Sequence, residues 1–131
     1  MVSKDDSYDF VIVGSGGGGL VAALAAVEAG LRPIILEKQS VVGGSTAMSG
    51  GVVWMPNNPL MQRDGVPDSF DEGMTYFDSV VGPPDAASSI ERRRAFLTEG
   101  NEMLSFIERC GVRLERCEGY SDYYDNVPGG K

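Results

Sequence analysis

The sequence predicts an α/β fold that opens with a Rossmann-like βαβ unit and continues as a mostly helical segment. A short apolar run, FVIV, stops at a glycine cluster, and an alanine-rich helical pattern, LVAALAAVEA, follows at once. A second short apolar run, PIIL, comes after the helical pattern. Because both runs are continuously apolar rather than alternating, they are typical of parallel strands that are buried on both faces.

Each element of the first half has its own signal in the residues. The sequence predicts a strand over 8–14, a helix from about Gly17 to Ala29, and a second strand over 33–37. Gly30 is placed to end the helix, since glycine readily adopts the left-handed conformation found at helix C-termini. The stretch 43–51 is so rich in glycine and small residues that we expect it to be irregular.

The glycine cluster is the most informative feature of the chain. Gly14, Gly16 and Gly19 fill the fixed places of G-x-G-x-x-G between a strand and a helix, which is the context that a dinucleotide-binding turn requires. The first glycine allows the tight turn, the second lets a pyrophosphate approach the backbone, and the third lets the helix pack on the strand. Glu37 ends the second apolar run, where an acid binds ribose in such folds. The alternative is a tight turn without a ligand, with Glu37 as an exposed acid.

The second half predicts helices. Ser69 and the acid three residues later match a capping box, so a helix should run from there towards Val81. A second helix fits 85–99 and is expected to break at Gly100 and Asn101, with Asn101 as the N-cap of a third helix. Residues 112–114 are a short strand candidate.

Composition excludes several functions. The net charge of −8 disfavours nucleic acid or an anionic membrane as a partner, and we expect the run Arg92–Arg94 to be a solvated helix face. The chain contains no histidine, so no metal site is expected. It has no apolar run long enough to cross a membrane and no secretory signal pattern. Cys110 and Cys117 are expected to be reduced, half-buried thiols, which together with the missing signal predicts a cytoplasmic location.

Several motifs in a fixed order resemble one flavoprotein family. The order is YDFVIVGSGGGG, IILEK, VVGGSTAMSGGVVWMPNN, NEMLSFIERCGV, GYSDYY and PGGK. It resembles the family of fumarate reductases and 3-ketosteroid dehydrogenases and, within it, the 3-ketosteroid Δ1-dehydrogenases. GGST followed by SGG is shared by flavin enzymes of the fumarate-reductase type, and the W-x-P-N-N and G-Y-S-D-Y-Y runs narrow the resemblance to steroid dehydrogenases.

The resemblance implies that FAD is the cofactor and implies the residues that hold it. Glycines and a serine of the first turn would surround the pyrophosphate, Glu37 would bind the adenosine ribose with Lys38 beside it, and two later loops would reach the ribityl chain and the isoalloxazine ring. The implied residues are Gly14, Ser15, Gly16, Gly18, Gly19, Glu37, Lys38, Gly44, Ser45, Thr46, Ser49, Gly50 and Gly51.

The resemblance also implies a reaction. In the family, a tyrosine base takes a proton from C2 of a 3-ketosteroid and hydride passes from C1 to flavin N5. Tyr123 would assist that base by hydrogen bonding, with Tyr124 as the alternative, and Tyr120 would line the steroid pocket. Trp54, the only tryptophan, is left without a role.

Family members are several times longer than 131 residues. The resemblance therefore implies an incomplete domain: residues 1–60 as the N-terminal part of an FAD-binding domain, and 61–131 as a helical segment that begins a substrate domain. The base tyrosine and the groups that polarise the ketone would come from other polypeptide. The chain alone should therefore not convert the steroid substrate. Two alternatives stay open: a related flavoprotein such as a 3-ketosteroid Δ4-dehydrogenase, or a non-catalytic FAD-binding or assembly subunit.

Overall fold

The computed structural model describes residues 7–131, which form two compact units that divide between Val53 and Trp54. The first unit is a small parallel sheet with helices, and the second is helical. This confirms the predicted α/β class. The predicted domain boundary after residue 60 stays a prediction, because the two units reflect contacts within this chain alone.

The first unit is the predicted βαβ crossing. Strand β1 (Phe10–Val13) leads into helix α1 (Gly17–Glu28), and strand β2 (Pro33–Leu36) pairs parallel with β1. Gly30 follows α1 with φ +75°, so it ends the helix as predicted. The stretch expected to be irregular contains a one-turn helix, α2 (Gly44–Ala47), so that expectation was wrong for these residues.

Burial of the strands on both faces was also wrong for this chain. Ile12 is buried, whereas Val11 is 59% exposed and Val13 is 84% exposed. Side chains alternate across a strand, and in the first unit α1 packs on one face of the sheet. Strand β1 therefore carries more apolar surface than the first unit covers.

The second unit begins with a helix that the sequence did not predict. Helix α3 (Pro59–Arg63) starts at the second proline of the sequence Pro-Asn-Asn-Pro. Asn58 is its N-cap: the Oδ1 atom accepts the N–H groups of Leu60 and Met61, both at 3.0 Å. Proline is well suited to the first helical position because its missing N–H has no partner there in any case.

Helix α4 (Phe70–Val81) confirms the predicted helix start at Ser69, but only half of the capping box forms, because the Ser69 N–H donates to Asp68 Oδ1 at 2.8 Å and not to Glu72. The Glu72 N–H donates to Ser69 Oγ at 3.2 Å, and Gly82 follows the helix with φ +82°. The acids of its first turn suit the positive end of the helix dipole.

Helix α5 (Ile90–Arg109) is continuous, so the predicted break was wrong. A Cβ atom at Gly100 would lie 2.6 Å from Met55 Sδ, so glycine serves close packing there and not termination. Asn101 is a helix-interior residue whose Nδ2 donates to the carbonyls of Leu97 at 2.8 Å and Pro56 at 3.2 Å. Tertiary contacts therefore override the local breaking signal.

The same helix starts later than predicted. It begins at Ile90 rather than at 85, because Asp85 closes a turn by accepting two backbone N–H groups and Ser89 then caps the helix. Residues 112–114 form no strand in the described chain, and they have no neighbouring strand with which to pair.

Arg93 corrects the interpretation of the arginine run as a solvated face. It is only 1% exposed, and its guanidinium donates to Asp78 Oδ1 at 2.7 Å, to the Gly82 carbonyl and to both oxygens of Ser88. A buried guanidinium is tolerated when its donors are satisfied, as they are here. Its neighbours Arg92 and Arg94 are exposed.

Two further sequence expectations concern the chain as a whole. Across residues 7–131, no helix is long and apolar enough to cross a membrane. Cys110 and Cys117 are free, but both are exposed rather than half-buried as expected.

Candidate cofactor site

The three fixed glycines of the first turn are needed for three different reasons. Gly14 has φ +95°, which only glycine adopts readily, so its predicted role in the tight turn is confirmed. A Cβ atom on Gly19 would collide with the Gly14 carbonyl oxygen and lie 3.3 Å from Ile12 Cγ2, which confirms the close packing of helix on strand. Gly16 has φ −68°, and a Cβ atom there would meet none of the described residues within 4 Å.

Within the described part of the chain, residues 7–131, neither backbone conformation nor packing therefore explains glycine at position 16. A ligand that approaches this stretch of backbone closely does explain it.

The N-terminus of α1 offers donors to such a ligand. Its N-cap, Gly16, has no side chain, and the Gly17 N–H instead donates to Thr46 Oγ1 at 3.1 Å. Within residues 7–131, the N–H groups of Gly18 and Gly19 have no acceptor. The first turn contains no acidic residue. A helix end with unpaired N–H groups and a partial positive charge favours a phosphate.

Ser15 and Glu37 meet although 22 residues separate them. The Ser15 hydroxyl donates to Glu37 Oε2 at 2.6 Å, and the Ser15 N–H donates to the same oxygen at 3.0 Å. The Ser15 hydroxyl also accepts the Gly43 N–H at 3.0 Å, and Gln39 donates its N–H to Glu37 Oε1 at 2.9 Å. The glycine turn, the end of β2 and the turn before α2 are thus held by one network, which we call the Ser15 network (Ser15, Glu37, Gln39 and Gly43).

Hydrogen bonding in this network lowers the pKa of Glu37 from 4.5 to about 2. The Ser15 hydroxyl is the largest cause, followed by the N–H groups of Gln39 and Ser15. All of these groups donate to the charged form, so they favour the carboxylate. Glu37 is therefore an anion at neutral pH and can accept hydrogen bonds from ribose hydroxyls.

We expect the carboxyl carbon of Glu37 to titrate near pH 2 in a carbon-detected NMR titration. A lowered pKa in the folded state stabilises the fold above the unfolded value of 4.5. This stabilisation is lost as the pH falls from 4.5 to about 2. The Glu37→Gln variant should lose less stability across that interval than the wild-type protein. Titration of Glu37 near 4.5 would show that the network does not form in solution.

The turn before α2 brings Thr46 and Gly44 to the glycine turn. Gly43 has φ +109°, and a Cβ atom there would lie 2.5 Å from the Ala47 Cβ. Gly44 has φ +54°, and its Cβ position is 3.4 Å from Gly16 Cα. The predicted GGST segment therefore borders the open space at Gly16.

The remaining predicted cofactor residues do not join this cluster. Ser49 forms a local turn in which its hydroxyl donates to the Thr46 carbonyl at 2.8 Å and accepts the Gly51 N–H at 3.1 Å. Gly50 is exposed and leaves open space around its Cβ position. Lys38 and Ser45 are exposed, and neither side chain joins the Ser15 network, although the Lys38 backbone N–H makes the smallest of the contributions that lower the pKa of Glu37. Their contacts with a cofactor stay predictions.

Sequence reasoning missed Gly17, Gln39 and Gly43. Gln39 and Gly17 act through backbone N–H groups, which any residue type supplies, so no signal marked them. Gly43 stands next to predicted residues, and the doubled glycine could have indicated a positive φ there.

The predicted tyrosines belong to the second unit. Tyr120 is 63% exposed, Tyr123 is 92% exposed and Tyr124 is 54% exposed. Their loop is anchored by Asp122, whose Oδ1 accepts the Trp54 Nε1–H at 2.7 Å. Asp122 also accepts the backbone N–H of Lys131 at 3.0 Å. Catalytic and steroid-binding roles for these tyrosines stay predictions.

Trp54, which the sequence left without a role, is a packing residue as well as an anchor. Its ring centroid lies 5.3 Å from that of Tyr76, 5.6 Å from Phe77 and 5.8 Å from Phe96. Such aromatic clusters contribute beyond area burial alone.

The first unit fits a dinucleotide. Open space at Gly16 and Gly18, free N–H groups at the start of α1 and an ionised acid at the end of β2 are the features that a diphosphate and a ribose require. Among residues 7–131, no cluster of His, Cys, Asp and Glu could hold a metal ion.

Comparison with known proteins agrees with this chemistry. A family model described as the FAD binding domain matches residues 9–129. A 3-oxosteroid 1-dehydrogenase of Mycolicibacterium smegmatis is 47% identical over 125 residues, which are 95% of this chain and 21% of that protein.

Two solved structures are similar to the chain. One is a 3-ketosteroid Δ1-dehydrogenase from Sterolibacterium denitrificans in complex with 1,4-androstadiene-3,17-dione, with a TM-score of 0.78 and 38% identity over 95% of this chain and 21% of that one. The other is a 3-ketosteroid-Δ4-(5α)-dehydrogenase from Rhodococcus jostii RHA1 in complex with 4-androstene-3,17-dione, with a TM-score of 0.71 and 28% identity over 86% of this chain and 23% of that one. The chain spans about a fifth of the length of these relatives. The resemblance to 3-ketosteroid dehydrogenases is thus confirmed, and the chain belongs to the FAD binding domain family, with FAD as its cofactor.

Proposed function

We propose that this chain is the FAD-binding portion of a dehydrogenase that desaturates ring A of 3-ketosteroids between C1 and C2. The observation that carries the proposal is 47% identity with a 3-oxosteroid 1-dehydrogenase over 95% of the chain. The TM-score of 0.78 with a 3-ketosteroid Δ1-dehydrogenase agrees with it. FAD, when bound, supplies the acceptor for the hydride that leaves the steroid.

The chain's own residues hold and orient that cofactor in this proposal. The N–H groups of Gly18 and Gly19 bind the pyrophosphate, and Glu37 accepts hydrogen bonds from the adenosine ribose. Thr46 already accepts the Gly17 N–H, and its hydroxyl hydrogen is free to reach a phosphate oxygen. The support for these roles is the open space at Gly16 and the ionised state of Glu37.

Tyr123 and Tyr120 serve the steroid in the same proposal. Tyr123 hydrogen-bonds to a tyrosine base that takes the proton from C2, and Tyr120 lines the steroid pocket. The base and the groups that polarise the 3-keto oxygen belong to further polypeptide, either of the same protein or of a partner subunit. The exposure of both tyrosines, on a loop that Asp122 anchors, leaves their side chains open to such contacts.

The experiment is an anaerobic mixture of the protein, FAD and androst-4-ene-3,17-dione. We expect no bleaching of the flavin absorption with residues 1–131 alone, since the base is missing. Addition of the remaining polypeptide should restore bleaching and yield the 1,4-diene, and Tyr123→Phe should slow the bleaching without changing FAD affinity. Bleaching by residues 1–131 alone, or a complete assembly that leaves the steroid unchanged, would contradict the proposal.

Similarity to a Δ4-(5α)-dehydrogenase favours one alternative, desaturation between C4 and C5 of a 5α-steroid. The two reactions differ in product, so 5α-androstane-3,17-dione separates them. A 1-ene product, identified by NMR, indicates the Δ1 reaction, and a 4-ene product indicates the alternative. The lower identity of 28%, against 38% for the Δ1 structure, is why the Δ1 reaction is preferred.

A further inference from the structure

The Ser15 hydroxyl faces the protein and not a ligand. Ser15 is 1% exposed, and its hydroxyl donates to Glu37 while it accepts from the Gly43 N–H. A serine hydroxyl has one hydrogen, and here that hydrogen is committed to a carboxylate at 2.6 Å. The side chain therefore acts on the cofactor only through the residues that it holds.

The residue that it holds most firmly is Glu37. Three hydrogen bonds reach this carboxylate, two from Ser15 to Oε2 and one from Gln39 to Oε1. Hydrogen bonds to a charged group are about twice as strong as those between neutral groups. An unrestrained glutamate side chain loses rotamer freedom when it binds a ligand, and this network removes that freedom beforehand.

Resting on the proposed role of Glu37 as the ribose acid, we propose that Ser15 is a positioning residue for FAD. Its hydroxyl holds the Glu37 carboxylate in place for the adenosine ribose before the cofactor arrives. The same hydroxyl also accepts the Gly43 N–H, so one side chain fixes the positions of both the ribose site and the turn that carries Thr46. The lowered pKa of Glu37, of which the Ser15 hydroxyl is the largest cause, agrees with this coupling.

The test measures preference for a ribose hydroxyl rather than affinity alone. Dissociation constants for FAD and for an FAD analogue with 2′-deoxyadenosine are measured by flavin fluorescence on the full protein, Ser15→Ala, Glu37→Gln and the double variant. The wild type should prefer FAD by about tenfold or more, as expected for a hydrogen bond to a charged group. In Ser15→Ala and in Glu37→Gln, the dissociation constants for FAD and for the analogue should be nearly equal. The double variant should add nothing further, and exposed Ser40→Ala should match the wild type.

Each other outcome contradicts the proposed role of a particular residue. Equal weakening of FAD and of the analogue by Ser15→Ala would make Ser15 a purely structural residue. An unchanged preference in Ser15→Ala, with the preference lost in Glu37→Gln, would leave the proposed role of Glu37 intact and remove that of Ser15. A wild-type protein without preference would overturn both. If Ser15→Ala does not fold, Ser15→Cys, a weaker donor of similar size, should show an intermediate preference, and a full wild-type preference would contradict the inference.

Discussion

Alanine at position 19 is expected to destabilise the first unit by about 3 kcal/mol or more. The added Cβ atom would collide with the carbonyl oxygen of Gly14, and a backbone atom cannot move aside as the end of a side chain can. Gly14 is itself fixed, because its φ of +95° closes the turn. Helix α1 would have to lift away from β1, which would also expose Ile12, the buried residue of that strand.

Gly18→Ala is the matched control for Gly19→Ala. It adds the same atom to the same turn of the same helix, but no atom of residues 7–131 lies within 4 Å of the new Cβ position. Because alanine is the better helix former, this variant should be neutral or more stable by up to about 1 kcal/mol. Hydrogen exchange of the β1 and α1 amides is the suitable measurement, since Trp54 belongs to the second unit and its fluorescence reports there. Equal protection in the two variants would mean that α1 lies further from β1 in solution.

The same contrast shows what sequence can predict about this fold. The first and third glycines of the turn were predicted with their reasons, because a strand, a turn and a helix in succession leave few geometries. The start of α4 was predicted as well, since Ser69 and Glu72 satisfy each other locally. Features that depend on neighbouring residues in the chain are readable from the sequence.

Features that depend on distant residues were not readable. From the sequence alone, Gly100 suggests a helix break, whereas in the structure it gives room for Met55. Arg93 likewise suggests a surface residue, whereas in the structure it is buried and paired with Asp78. The Ser15 network joins residues that lie more than twenty positions apart, and nothing in a serine next to a glycine indicates where its hydroxyl will point. The cofactor-binding turn can therefore be predicted from the sequence, whereas the contacts that hold it in place are visible only in the structure.

Alanine at position 16 is expected to leave the fold intact and to weaken FAD binding by about a hundredfold. Without a ligand, the backbone at Gly16 suits any residue and the added Cβ meets nothing, so stability should change by about 1 kcal/mol or less. With FAD, that Cβ occupies the space through which a pyrophosphate approaches the backbone.

The wild-type protein supplies the control for this prediction within one experiment. A ligand that binds only the folded state raises the denaturation midpoint in proportion to the logarithm of its concentration over its dissociation constant. Gly16→Ala should therefore denature with the wild type when FAD is absent and fall below it as FAD is added, whereas Gly19→Ala should lie below it throughout. An FAD-dependent rise equal to that of the wild type would place the diphosphate away from Gly16, and the glycine at that position would then need another explanation. The two variants thus separate a glycine required by the fold from a glycine required by the cofactor.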